Sequence, residues 1–210
     1  MEAKIAGIYL AAGQSRRMGR PKLSLELAPG NRLGSRALAA MLACPEVAEI
    51  VAVVRPDDPL LWAEGAETAS ASGRLRFAPC PEAAEGMSRS VRRGLAEALA
   101  GTPEAILVVL ADQPFITADL LSSLAAAYEA DPTLDFVACR YGALAHPPVL
   151  LGRSMFDAAM MLEGDAGARK LLSDPRRRGA LVEAESEAAF ADIDSESDLA
   201  AAIRMLRMRG

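Results

Sequence analysis

Residues 5–22 read IAGIYLAAGQSRRMGRPK, and the fold turns on how they are read. The apolar run with Ile5, Ile8 and Leu10 is too short for a helix and reads as a buried β-strand. It passes directly into Gly13, a polar turn and Gly19, with four basic residues, Arg16, Arg17, Arg20 and Lys22, crowded around the turn. Glycine permits positive φ and close approach of the backbone to a ligand. Successive N–H groups in such a turn form a nest for anions, and guanidinium forks and an ammonium suit phosphate. Chemistry alone points to a polyphosphate-binding loop at the carboxyl end of a first strand. The alternative is a surface loop whose basic side chains are merely solvated. Spacing excludes two familiar motifs, since neither G-x-x-x-x-G-K-[ST] nor G-x-G-x-x-G occurs here.

Outward from this stretch, apolar or β-branched runs at 4–10, 48–54, 74–78 and 104–110 alternate with helical patterns near 34–43, 58–70 and 88–100. That alternation is the α/β signature of parallel strands joined by crossover helices. In such sheets ligands bind beyond the carboxyl ends of the strands, so the loops after strands carry the functional expectation. The loop PCPEAAEGM (79–87) leads into a helix whose N-terminal N–H groups suit an anion or a polar base edge. Ser88 serves equally as a cap for that helix. The run EAILVVLADQPF (104–115) is a central strand ending in Asp112. A carboxylate there is costly unless exposed, paired or binding a cation. Its place at the same sheet edge as the glycine loop favours a Mg²⁺ ligand over an ordinary loop aspartate, because Mg²⁺ takes one or two carboxylates plus phosphates.

The later chain reads as a helix at 117–130, two short strands around Gly142, and an amphipathic helix at 152–162. Asp165 is a natural N-cap for a helix at 166–173. Arg176, Arg177 and Arg178 read as a solvated turn, and a strand ending Asp192-Ile193-Asp194 meets a last helix, with Ser195 and Asp198 as a capping-box pair. His146 is the single histidine and reads as a contact residue rather than an acid–base catalyst.

A chain of 210 residues suits one domain. Hydrophobic residues at 51% supply a core, and aromatics at 4% make it Ala/Leu/Val packing with Met as filler. A net charge of −5 without a basic stripe argues against nucleic acid as partner. No apolar run is long enough for a bilayer, and no secretory signal pattern opens the chain. Cys44, Cys80 and Cys139 are scattered without metal-ligand spacing and suit a reducing compartment. A cytoplasmic protein is expected.

The string Leu10-Ala11-Ala12-Gly13-x-Ser15-x-Arg17-Met18-Gly19-x-x-Lys22 resembles the signature of nucleotidyltransferases that activate small phosphorylated molecules with an NTP. It looks most like the MobA-like NTP transferases, in their molybdenum cofactor cytidylyltransferase branch. Four further strings resemble segments of that family, in order along nearly the whole chain. Gly86-Met87-Ser88-x-Ser90 is similar to its GMSxS segment and implies contact with base and ribose. Asp112-x-Pro114 is similar to its D-x-P, whose aspartate holds the metal. His146-Pro147-Pro148-Val149 and Gly164-Asp165-x-Gly167-Ala168-Arg169 imply the acceptor side. The ending D-x-D-[ST]-x-x-D-L implies Asp194 as a second metal ligand and, less firmly, Asp192. ELAPGNRLGS (26–35) departs from the family pattern, which has a simpler loop there.

The resemblance implies an α/β fold, a Rossmann-like three-layer sandwich with a mixed, mostly parallel sheet of the nucleotide-diphospho-sugar transferase type, as one domain over 1–210. It implies CTP as donor, Mg²⁺ as cofactor, a molybdopterin-type acceptor and a recipient molybdoenzyme. Guanylyl-transferring relatives tend to carry LAGG where this chain has Leu10-Ala11-Ala12-Gly13, which points to CTP over GTP.

Overall fold

The computed structural model describes residues 4–15, 17–142, 144–165 and 169–209. Strand β1 (Ile5–Leu10) lies at the centre of a seven-stranded sheet. Its parallel neighbours are β4 (Val47–Val54) and β6 (Ala105–Leu110), and β5 (Leu75–Pro79) extends the β4 side. Beyond β6, β8 (Leu144–Gly152) runs antiparallel to both β6 and β7 (Phe136–Tyr141), and β9 (Gly179–Glu183) closes that edge parallel to β7. The order is therefore β5-β4-β1-β6-β8-β7-β9. A short hairpin of β2 (Glu26–Ala28) and β3 (Asn31–Arg32) stands apart, in the stretch that departs from the family pattern.

The strands alternate between two buried faces, as central parallel strands must. Ile5 and Tyr9 pack with Ala37 and Met41 of α1 (Leu33–Ala43), with Leu121 and Leu124 of α4 (Ala118–Ala130), and with Leu199 and Ala202 of α7 (Glu196–Arg209). Ala6 and Ile8 pack on the other face with Leu95 and Ala98 of α3 (Met87–Ala98) and with Phe156 and Ala159 of α5 (Phe156–Met160). Three layers result. Each fully buried aliphatic side chain contributes about 1.5–3 kcal/mol. Gly94 sets how closely α3 lies on the sheet, since a Cβ there would stand 2.5 Å from Ile8 Cγ2.

Several expected elements are shorter. The helix expected at 58–70 is a single turn at Leu61–Ala63 and then α2 (Glu67–Ala71), with Leu60 left-handed between Pro59 and the turn. The helix expected at 152–162 is α5 preceded by a tight turn at Arg153–Met155. The four-residue helix α6 (Arg169–Leu172) stands within the span expected at 166–173. No strand forms at 191–194; a turn at Glu187–Phe190 is followed by irregular chain outside the sheet ladders. The arginines at 176–178 form the expected exposed turn, with the Arg176 and Arg178 side chains 87% and 63% exposed. It is tied on by Arg178, which pairs with Asp131 at 2.7 Å and whose backbone N–H donates to Asp135 at 2.8 Å. Among the described residues, no helix is long and apolar enough to cross a membrane.

Candidate active site

β1 and β6 are adjacent and parallel, but the chain leaves β1 toward β4 and reaches β6 from β5, so the order of strands reverses between them. The loops after both strands open there, at the expected switch point. A cavity of about 510 Å³ fills the space, walled by Leu10, Ala12, Gly13, Gln14, Ser15, Arg17 and Lys22 on one side. Gly86, Met87 and Ser90 of the α3 entry, with Asp112, Asp165, Asp192 and Asp194, wall the other.

The glycine loop is built differently from expectation. Gly13 does not carry positive φ; Gly19 (φ 63°) and Ser15 (φ 50°) do. The left-handed conformation costs a non-glycine residue about 1–2 kcal/mol, and Ser15 is held there by its partners. Its carbonyl accepts from Met18 N–H at 3.0 Å and Gly19 N–H at 3.1 Å, and its Oγ accepts from Lys22 N–H at 3.2 Å. Gly13 has open space where a Cβ would stand, so its backbone is accessible from the cavity. Arg55, beyond β4, donates to Gly13 O at 3.3 Å. Ala11 is buried in the core and Met18 packs against it, so both anchor the loop and neither they nor Gly19 wall the cavity. Arg16 lies outside the described residues.

Lys22 is the centre of the charge arrangement. It is only 6% exposed, and its Nζ donates to Asp112 Oδ2 at 2.8 Å and to Asp194 Oδ1 at 2.7 Å. Arg17 Nη1 donates to Asp194 Oδ2 at 2.9 Å. Burial works against the Lys22 ammonium, but the charges and hydrogen bonds of Asp112 and Asp194 outweigh it and raise its pKa. Asp194 is placed by the start of α7. Asp198 Oδ2 accepts from the N–H groups of Asp194 (3.1 Å) and Ser195 (2.8 Å), and Ser195 Oγ accepts from Asp198 N–H (3.2 Å). This is the expected capping box, and these hydrogen bonds, Ser195 Oγ–H on Asp198 first, lower the Asp198 pKa.

Asp192 differs from its two neighbours. It opens toward the cleft on one side and is crowded by protein on the others. That burial, followed by the charge of Asp112 and then Asp194, raises its pKa against the opposing help of Gln113 and Lys22. Gln113 Nε2 donates to Asp192 Oδ1 at 3.0 Å, while the buried Gln113 Oε1 has no partner among the described residues. No group of three or more His, Cys, Asp or Glu among the described residues is arranged to hold a metal on its own. The donor set nevertheless fits a hard divalent cation. Asp112 and Asp194 offer oxygen ligands only, at one edge of a phosphate-sized cleft, and Mg²⁺ completes its shell with water and phosphate oxygens.

The α3 entry corrects one expectation. Ser88 is buried, caps nothing with its side chain and does not wall the cavity. Its backbone N–H donates to Gly164 O at 3.1 Å. Gly86 (φ 133°) approaches that same Gly164 so closely that a Cβ would stand 2.4 Å from its carbonyl oxygen.

A second cavity of about 280 Å³ adjoins the first, and Leu10, Met87, Leu110, Asp165 and Asp192 belong to both walls. His146 and Pro147 line it, with Gln113, Val149 and Phe190. His146 lies within β8, and its ring stacks on Phe190 with centroids 4.5 Å apart. Gly164 is outside both walls. Residues 166–168 and the side chain of Arg169 lie outside the described residues. Sequence reasoning missed Gln14, Arg55, Gln113 and Phe190. Gln113 was signalled by standing beside Asp112 and Gln14 by standing between Gly13 and Ser15, whereas nothing local marks Arg55 or Phe190.

A glycine loop after the first strand, cations facing carboxylates and two adjoining cavities on this sheet define a nucleotidyltransferase of the α/β class. More particularly, the MobA-like NTP transferase domain matches residues 7–181, and the chain belongs to that family. It is 33% identical over 197 residues to the purine catabolism protein PucB of Bacillus subtilis, covering 92% of this chain and 93% of that protein. It is 33% identical over 218 residues to a molybdenum cofactor guanylyltransferase of Mesorhizobium japonicum, covering 99% and 98%. A solved nucleotidyl transferase of Methanothermobacter thermautotroptrophicus superposes with a TM-score of 0.75 at 24% identity, over 98% of this chain and 99% of that one.

Proposed function

We propose that this protein joins the nucleotidyl group of CTP to a molybdopterin-type phosphorylated acceptor and releases pyrophosphate, in the cytoplasm and upstream of a recipient molybdoenzyme. The observation that carries the reading is the convergence of Arg17, Lys22, Asp112 and Asp194 at the mouth of the glycine-loop cavity. The acceptor phosphate is already ionised near neutral pH, so no histidine or glutamate base is needed. Catalysis is then positioning plus charge stabilisation. The backbone from Gly13 to Ser15 faces the triphosphate, while Arg17 and Lys22 neutralise charge that grows on the α-phosphate and leaving group. Asp112 and Asp194 would hold Mg²⁺, which would supply Lewis-acid stabilisation of the phosphates. Gly86, Met87 and Ser90 face the base and ribose, and the cavity beside His146 and Pro147 takes the acceptor.

Ala12 lies on the wall of the first cavity, at the position where guanylyl-transferring relatives tend to carry a glycine, which supports CTP. A guanylyl donor is the second reading, favoured by the relative of that name. Pyrophosphate release is to be measured with each of the four NTPs, with and without molybdenum-loaded molybdopterin, in Mg²⁺ and in EDTA. Release that needs CTP, pterin and Mg²⁺ together is expected. Release with GTP keeps the chemistry and changes the base. Release with neither, from folded protein and intact pterin, points to another phosphorylated acceptor or to a non-catalytic pterin carrier.

A further inference from the structure

Each carboxylate oxygen of Asp194 is engaged by a different cation: Oδ1 by Lys22 Nζ at 2.7 Å and Oδ2 by Arg17 Nη1 at 2.9 Å. Lys22 also holds Asp112 Oδ2 at 2.8 Å. A Mg²⁺ ion sits about 2.1 Å from its oxygen ligands. Bound to the same two carboxylates, it would fall against the Lys22 ammonium, where like charges repel strongly. The two cations therefore exclude one another from this spot. Lys22 is 6% exposed, so its ammonium needs another anion before it can leave. One is within reach. The Lys22 backbone is tied to Ser15 Oγ, and Ser15 and Gly13 wall the same cavity. A flexible four-carbon stem lets Nζ swing from the carboxylates to a triphosphate on that loop while the Cα stays fixed.

We propose that Lys22, assisted by Arg17, occupies Asp112 and Asp194 in place of the divalent cation and gives them up only when a nucleotide triphosphate draws it away. This rests on reading the first cavity as a nucleotide site. Metal affinity is then low without nucleotide and high with it, and by reciprocity the metal strengthens nucleotide binding by the same factor. The exchange also keeps Asp112, Asp192 and Asp194 from repelling one another before substrate arrives.

The test is Mn²⁺ binding, read from the electron paramagnetic resonance of the free ion, for the full chain, Lys22→Met and Arg17→Gln. Each is titrated alone and with α,β-methylene-CTP, above what the analogue binds by itself. Without nucleotide, Lys22→Met should bind Mn²⁺ at least about tenfold more tightly than the unmodified protein. The analogue should tighten binding to the unmodified protein and add little to Lys22→Met. Arg17, exposed on the cleft rim, can be changed without threat to the fold, and Arg17→Gln should give a smaller gain in the same direction. Mn²⁺ binding that is equal in all three proteins, or weaker in Lys22→Met, overturns the exchange and leaves the metal site standing. Absence of Mn²⁺ binding in every protein, with and without the analogue, removes the metal reading and this proposal together.

Discussion

The backbone N–H of Ile193 donates to the carbonyl of Asp112 at 3.1 Å, tying the segment before the last helix to the end of the central strand β6. Asp112 and Asp194, the neighbour of Ile193, both accept from Lys22 Nζ. Because the Ile193 bond is a main-chain bond, Asp112→Ala leaves it in place. We expect this variant to lose turnover by at least about a thousandfold, the scale of removing a charge-positioning group at phosphoryl transfer. Its thermal midpoint should stay within a few degrees of the parent by calorimetry. Near-normal turnover would sink the assignment of Asp112.

Lys22→Ala should lower kcat more than it weakens nucleotide binding, since its ammonium is held for the charge that builds during transfer. Loss in binding alone would make it a ground-state anchor. The variant should also be less stable, by about 2 kcal/mol, because removing one partner of a part-buried ionic group strands the others. Steady-state kinetics, nucleotide titration and urea unfolding separate these effects.

Ser195→Ala removes the side-chain half of the α7 cap, a change that costs about 1 kcal/mol in other helices. Asp198→Ala also releases the N–H of Asp194. We therefore expect the Asp198 variant to lose more kcat than the Ser195 variant at comparable loss of stability. Equal kinetic losses would mean that the cap serves the helix and not Asp194.

Gly86→Ala meets two obstacles, a φ of 133° and the Gly164 carbonyl at 2.4 Å from the new Cβ. A destabilisation of about 1–3 kcal/mol is expected from such strain, with a rise in KM for the nucleotide as the α3 entry shifts. Parent-like stability and KM would show that this approach relaxes at no cost.

Asp192 supplies a pH prediction. Its folded pKa is raised above the ordinary 3.8 by burial and by Asp112, so the folded state holds the proton more tightly than the unfolded chain. Stability contributed by this group falls as pH rises from that ordinary value through the raised one. Asp192→Asn keeps an acceptor for Gln113 and removes the charge. It should match the parent near pH 4 and exceed it at pH 7.5, by less than about 1 kcal/mol because the group opens to solvent. Thermal midpoints at the two pH values decide it. Lys22 has the opposite limit: its raised pKa contributes stability throughout the neutral range, lost only as pH climbs past the usual lysine value.

The parts legible in the sequence were those encoded locally. A strand that runs into glycine and basic residues, an aspartate ending an apolar run and an S-x-x-D pair before an amphipathic run each carry their chemistry within a few positions. β1, Asp112 and the α7 cap stand where that chemistry puts them. What was not legible depends on segments far apart in the chain. Ser88 looked like a cap, but Gly164 supplies the acceptor for its N–H. Asp192-Ile193-Asp194 reads from sequence as a strand end before the last helix; Ile193 is buried instead by the core and not by a sheet. Gln113 and Asp192 meet only because β6 and the segment before α7 end together.

The partition between the two cavities is thin and jointly owned, with Leu10, Met87, Leu110, Asp165 and Asp192 facing both sides. The far walls are not shared: one comes from the glycine loop and the α3 entry, the other from β8 and Phe190. Such a layout is modular. Replacing the far wall of the smaller chamber would retune which molecule is modified while the donor chamber and its charges stay intact. Changes in the partition, by contrast, would be felt by both reactants at once and so are the least free to vary.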